Sequence, residues 1–141
     1  MKIGIISDTH DDIENVQKAI EIFNVERVQY VIHAGDYIFP GIVKEFEKLN
    51  SKLIGVLGNN DGEKVHLLKN FLDIGGDLKG ELAEIELDGL RFGVYMEHLK
   101  KLKNNLLITA NIIFSYVDIH IAENYLMMPP KENMKMIIKR H

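Results

Sequence analysis

Three short apolar runs, each ending in a polar cluster, constrain this chain more than any other feature. Lys2–Ser7 (KIGIIS) runs into Asp8-Thr9-His10, Arg27–His33 (RVQYVIH) into Gly35-Asp36, and Lys52–Leu57 (KLIGVL) into Gly58-Asn59-Asn60-Asp61. Short runs rich in β-branched residues and bounded by polar residues read as buried strands. Segments of helical periodicity separate them. Asp11 or Asp12 can cap a helix reaching Asn24, with Ile13, Val16, Ile20 and Phe23 on one face. Pro40 suits the first turn of a helix to Leu49 that buries Ile42, Val43 and Phe46, and Asp61 can cap a helix to Leu72. Glu81–Leu87 alternates as a strand, and Asp88-Gly89 is a hairpin signal leading into Leu90–Tyr95. The order is β-α-β-α-β-α-β-β, and helical crossovers make the first three strands parallel, an α/β arrangement.

Composition narrows the function classes. A chain of 141 residues fits one domain, and 46% apolar with 27% charged residues is ordinary globular composition. The formal net charge of −4 gives no nucleic-acid footprint. With no cysteine, disulfides, iron–sulfur clusters and thiol catalysis are excluded. No apolar run is long enough to span a membrane and the first residues are not a signal peptide, so a cytoplasmic protein is expected.

The polar clusters fall at the carboxyl ends of consecutive parallel strands, the edge where open α/β sheets bind ligands. They bring together carboxylates, an imidazole and carboxamides, which suit Mn²⁺, Fe²⁺, Zn²⁺ or Mg²⁺. In extended chain Asp8 and His10 share a side and can face one ion. Each cluster also has a bland reading: Asp36 can cap a loop, and Asn59 and Asn60 can be turn residues. His33, on an apolar strand, reads as a satisfied core histidine, and His66 as a surface residue.

The ordered set Asp8-Thr9-His10, Gly35-Asp36 and Gly58-Asn59-Asn60-Asp61 resembles the calcineurin-like metallophosphoesterases, in particular their small single-domain phosphodiesterases. The resemblance runs through residues 1–95. It implies a two-sheet β-sandwich flanked by helices, with two divalent ions at the strand ends, Mn²⁺ in first place and Fe²⁺, Ni²⁺, Zn²⁺ or Mg²⁺ as alternatives. It implies that Asp8 and His10 bind the first metal, that Asp36 bridges both, and that Asn59 binds the second. Many relatives carry a histidine where this chain has Asn60, which can donate a hydrogen bond to phosphate or leaving group but not a proton. The implied activity is hydrolysis of a small phosphate ester by a metal-activated hydroxide. A homo-oligomer is left open.

Beyond Tyr95 the resemblance stops. The family's His-Gly element and its later Gly-His-x-His motif are missing, with Tyr95-Met96-Glu97 and Val117-Asp118-Ile119-His120 in their places. Residues 1–95 hold all 11 glycines and carry 10 basic and 17 acidic residues, net −7; residues 96–141 hold none and carry 7 basic and 4 acidic, net +3. Rebuilding each codon from the third base of one residue and the first two of the next permits His-Gly-Thr from Tyr95 onward and Gly-His-Thr-His from Val117 onward. A frameshift near codon 95 is therefore expected, with residues 1–95 the family's part of a single domain and 96–141 an out-of-frame segment. A divergent C-terminus is the alternative, with His98 and His120 as replacement ligands. As written, the chain reads Glu97–Leu107 as an amphipathic helix, Ala110–Ile121 as a strand and Met134–His141 as a frayed helix. Losing ligands weakens metal affinity, so reduced or absent activity is expected.

Two other classes compete: a non-catalytic protein-binding scaffold of the same fold, and a non-functional product of a disrupted gene. A nucleotide-binding domain is disfavoured, because neither G-x-G-x-x-G nor G-x-x-x-x-G-K occurs.

Overall fold

The structure is a computed structural model that describes residues 1–95, 113–114, 125–127 and 135–140. Strand β1 spans Lys2–Ser7, helix α1 Ile13–Val25, β2 Tyr30–His33 and β3 Lys52–Gly55. A 3-10 helix, Pro40–Lys48, joins β2 to β3. Then come α2 (Lys64–Asp73), β4 (Asp77–Leu78), β5 (Leu82–Leu87), β6 (Leu90–Tyr95), β7 (Ile113–Phe114), β8 (Tyr125–Met127) and β9 (Lys135–Arg140). One sheet has the order β4-β3-β2-β1-β9-β8, and a second has β5-β6-β7.

β1, β2 and β3 are parallel as expected, with Ile3 opposite Tyr30 and Tyr30 opposite Lys52. Alternation along these strands serves two cores. Ile6, Val31 and Leu53 face the helices and pack with Val16, Ile20, Phe23, Phe46 and Phe71. Ile3, Ile5, Ile32 and Ile54 face the second sheet and meet Ala83, Ile85, Leu87 and Val94. A strand buried on both faces has no polar side to show, which is why these runs are continuously apolar. β5 packs on one face only, so it alternates, with Ala83, Ile85 and Leu87 buried and Glu84 and Glu86 exposed. At the hairpin Asp88 and Gly89 both take positive φ (53° and 78°), as a tight two-residue turn demands.

Four local expectations are corrected. β2 begins at Tyr30 rather than Arg27, because α1 ends in a paired turn: Arg27 N donates to Asn24 O, Val28 N donates to Phe23 O, and Arg27 takes φ 53°. The segment after Pro40 is a 3-10 helix, whose buried Val43 and Phe46 stand three residues apart, the repeat of that helix. Asp61 does not cap α2; Glu63 holds the cap position at φ 37° with no side-chain cap bond. Lys135–Arg140 is a strand rather than a helix, pairing antiparallel with the free edge of β1, Ile3 opposite Lys139. Asp12 does cap α1, accepting from Asn15 N at 3.1 Å. The helix expected over Glu97–Leu107 lies outside the described residues, as do His98 and His120 and all of the strand expected over Ala110–Ile121 except Ile113–Phe114. No helix among the described residues is long and apolar enough to cross a membrane.

Candidate metal centre

The loops after β1, β2 and β3 are stitched together by their backbones. Asp8 N donates to Gly35 O at 3.1 Å, and His10 N donates to Asp36 O at 3.1 Å. These bonds lie beyond the strands, so they fix the loops rather than the sheet. Asp8, His10 and Asp36 all take left-handed conformations, with φ of 54°, 47° and 61°. Asp and His are among the residues that tolerate this region best. Asp8 and His10 therefore converge through a turned loop, not through the extended alternation that sequence spacing implies.

One ligand atom from each of Asp8, His10 and Asp36 lies within 4.8 Å of the others. Asp36 is buried, and Asp8 and His10 are half-buried. The oxygen and nitrogen donors of two carboxylates and an imidazole this close suit a divalent ion. Neighbours orient the carboxylates. Ser7 Oγ donates to Asp8 Oδ2 at 2.5 Å. Asn60 donates twice to Asp36, from its backbone N to Oδ1 at 3.1 Å and from Nδ2 to Oδ2 at 2.7 Å. Each Asp36 oxygen thus keeps lone pairs for a cation, since a carboxylate has about four acceptor positions. Asn60 is therefore engaged with Asp36 from the third loop. Asn59 is exposed beside it.

Two glycines allow this approach. A Cβ on Gly35, which takes φ 101°, would lie 2.6 Å from Gly58 N, and a Cβ on Gly58 would strike Asp36 Oδ1. Only backbones without side chains bring the second and third loops this close.

Behind Asp8, His10 and Asp36 sits a buried polar layer. His33 Nδ1 accepts from Gly35 N at 3.2 Å, so its proton is on Nε2, which faces Thr9 Oγ1 at 3.0 Å. Burial pushes the His33 pKa down to about 3, leaving the ring neutral, and it stacks on Tyr37 with centroids 3.9 Å apart. His33 is the satisfied core histidine its strand position implies, and it supports Thr9, between Asp8 and His10. Burial, and then the nearby Asp61 charge, hold the Tyr37 hydroxyl well above its ordinary range. His66 is exposed and pairs with Glu63 at 2.8 Å.

Asp61 is the residue to which sequence reasoning gave the wrong task. It is buried, and it accepts from Asp36 N (3.0 Å), Tyr37 N (2.6 Å), Ile38 N (3.0 Å) and Gly58 N (2.6 Å). In the sequence its position, a carboxylate ending a Gly-Asn-Asn cluster, suits a helix cap equally well, and three of its four amides come from the loop after β2.

Known proteins share this fold. The profile of the calcineurin-like phosphoesterase superfamily domain matches residues 1–119. A phosphodiesterase of Methanocaldococcus jannaschii is 46% identical over 99 residues, which are 70% of this chain and 60% of that protein. The chain thus spans less than two thirds of that relative's length. The solved structure of an archaeal phosphodiesterase superposes with a TM-score of 0.68 at 41% identity, covering 74% of this chain and 66% of that one. The phosphoesterase Yfce of Escherichia coli shares the fold at a TM-score of 0.56 and 20% identity, covering 70% of this chain and 59% of that one. A parallel sheet whose strand ends gather Asp8, His10 and Asp36, matched over most of the chain by that profile, places this protein in the calcineurin-like phosphoesterase superfamily.

Proposed function

We propose that the chain is a metal-dependent phosphodiesterase framework whose substrate is a small phosphate ester. The observation that carries this is the convergence of Asp8, His10 and Asp36 within 4.8 Å at the ends of two adjacent parallel strands. Asp8, His10 and Asp36 would hold one divalent cation, and Asp36 and Asn59 would hold a second; Mn²⁺ would fit this donor set, as would Fe²⁺, Ni²⁺, Zn²⁺ and Mg²⁺. When bound, the pair supplies Lewis acidity and a water acidic enough to act as nucleophile near neutral pH. The protein's own residues orient that chemistry. Ser7 fixes the Asp8 carboxylate, and Asn60 fixes that of Asp36. Asn60 carries no ionisable proton, so this position gives the leaving group a hydrogen bond at most. That favours esters whose leaving groups depart as stable anions.

We further propose that residues 96–141 are read out of frame, with the remaining metal ligands encoded in the adjacent frame. The loss of glycine and the reversal of charge after Tyr95 support this, together with the His-Gly-Thr and Gly-His-Thr-His that the shifted codons permit. One experiment tests both readings: Mn²⁺-dependent hydrolysis of bis(p-nitrophenyl) phosphate by this chain and by the frame-restored protein. The restored protein is expected to turn over, and this chain to be slower by at least about 100-fold, because ligands and their supports are missing. A restored protein inert with every divalent ion rejects the phosphodiesterase reading. A gene without His-Gly codons in the adjacent frame rejects the frameshift.

A further inference from the structure

Asp61 binds nothing that reacts, yet it stands at the junction of the loops that carry the reacting groups. Its two oxygens take four backbone N–H groups, three from consecutive residues after β2 and one from Gly58 after β3. Among the described residues no ion pair reaches it. Its charge is therefore held by backbone dipoles alone, in a concave nest of amides. Such a nest forms only if consecutive N–H groups point the same way, which ordinary strand or helix geometry does not allow here. The backbone bends to suit: Asp36 takes φ 61° and Ile38 φ 65°. For Ile38 this is a strained conformation, because a β-branched side chain crowds the carbonyl in the left-handed region. Strain of this kind persists only where the surroundings over-determine it, and among the described residues the only anchor shared by Asp36 and Ile38 is the Asp61 carboxylate.

We propose that Asp61 is the positioning residue of the metal centre: by gathering the amides of Asp36, Tyr37, Ile38 and Gly58 it holds the β2 loop in its left-handed path and so aims the Asp36 carboxylate at the Asp8–His10 pair. This rests on the metal-centre reading given above. It also gives a reason for a buried carboxylate to stand beside Asp36. Without an anion at this point, four N–H groups, three of them buried, lack an acceptor, and the Asp36 loop relaxes toward ordinary φ.

The test uses the full chain with three variants. In Asp61→Asn the shape is kept, but one acceptor oxygen becomes an NH₂ facing donors. Mn²⁺ affinity by calorimetry is expected to fall at least tenfold. Backbone exchange of Asp36, Tyr37, Ile38 and Gly58 is expected to speed up at least tenfold more than that of Val16 in α1. Phe23→Leu, in the helix-side core, is the control for stability alone: it lowers the melting temperature and leaves Mn²⁺ affinity within twofold. The third variant, Asp61→Asn with Ile38→Gly, removes the strain that Asp61 opposes, and is expected to melt higher than Asp61→Asn alone and to regain part of the affinity. An Asp61→Asn protein that loses stability but keeps its Mn²⁺ affinity overturns the proposal. So does a glycine at position 38 that restores nothing. If the unaltered chain binds no Mn²⁺, the metal reading fails by itself. The exchange comparison then decides the positioning role: selective acceleration at the four amides upholds it, and uniform acceleration refutes it.

Discussion

The core on the helix side of the sheet and the rim at its strand ends obey different rules. The core is apolar, drawn from β1, β2, β3, α1, α2 and the 3-10 helix, and repeats the periodicity of those elements. The rim is polar and departs from regular backbone. Among the described residues, five of the seven non-glycine residues with positive φ (Asp8, His10, Asp36, Ile38 and Glu63) lie in its loops, and the other two serve a helix end and a hairpin turn. Burial stabilises the first region without demanding any one side chain. The second is held by a few directional bonds, so its stability and its chemistry hang on single residues. Strain gathered where Asp8, His10 and Asp36 converge is what a candidate functional site shows.

That contrast can be broken from the rim first. Gly58→Ala drives a methyl group into Asp36 Oδ1. It is expected to lower Mn²⁺ affinity more than 100-fold and to destabilise the fold by about 3 kcal/mol, read by calorimetry and urea unfolding. An affinity unchanged within twofold would show that the Asp36 loop does not need its close contact with the third loop.

The buried layer beneath the rim gives the next effect. His33 is neutral in the fold with a pKa of about 3 against an ordinary 6.5, so only the unfolded chain takes up its proton between those values. The His33 contribution to stability is therefore at its full value above pH 6.5 and falls as pH drops from 6.5 toward 3. Between pH 7 and 4 this one group is expected to lower stability by about 3 kcal/mol. Urea midpoints of His33→Gln should show a shallower acid decline, even though the variant starts lower at pH 7. An equally steep decline would assign the acid sensitivity to other groups.

Substitution in the core should matter least to function. Ile20→Val is expected to cost about 1 kcal/mol and to leave Mn²⁺ affinity within twofold. A larger change in affinity would mean that core and rim are not separable in the way described.

The same division decided what the sequence could tell. β1 and β6 run as their patterns imply, and the Asp88-Gly89 hairpin and the Asp12 cap of α1 are where local chemistry puts them. These features depend on neighbours in sequence. β2 starts late because Arg27 accepts a left-handed turn for which glycine is the usual residue. Lys135–Arg140 is a strand because β1 offers it an edge, a demand made by a segment more than a hundred residues away. At the site, the identities of Asp8, His10 and Asp36 were legible as strand-end polar residues. The task of Asp61 was not: a helix-capping carboxylate and a loop-gathering carboxylate look alike until the four amides around it are seen. Asn60 likewise reads as a donor to substrate, and its bond to Asp36, which uses one of the two N–H groups of its amide, was not legible.

Anomalous diffraction at the manganese edge, from crystals of this chain soaked in Mn²⁺, tests the convergence of the strand ends most directly. The account predicts a peak bonded at once to the side chains of Asp8, His10 and Asp36. A peak held by other residues, or none at saturating Mn²⁺, would contradict it.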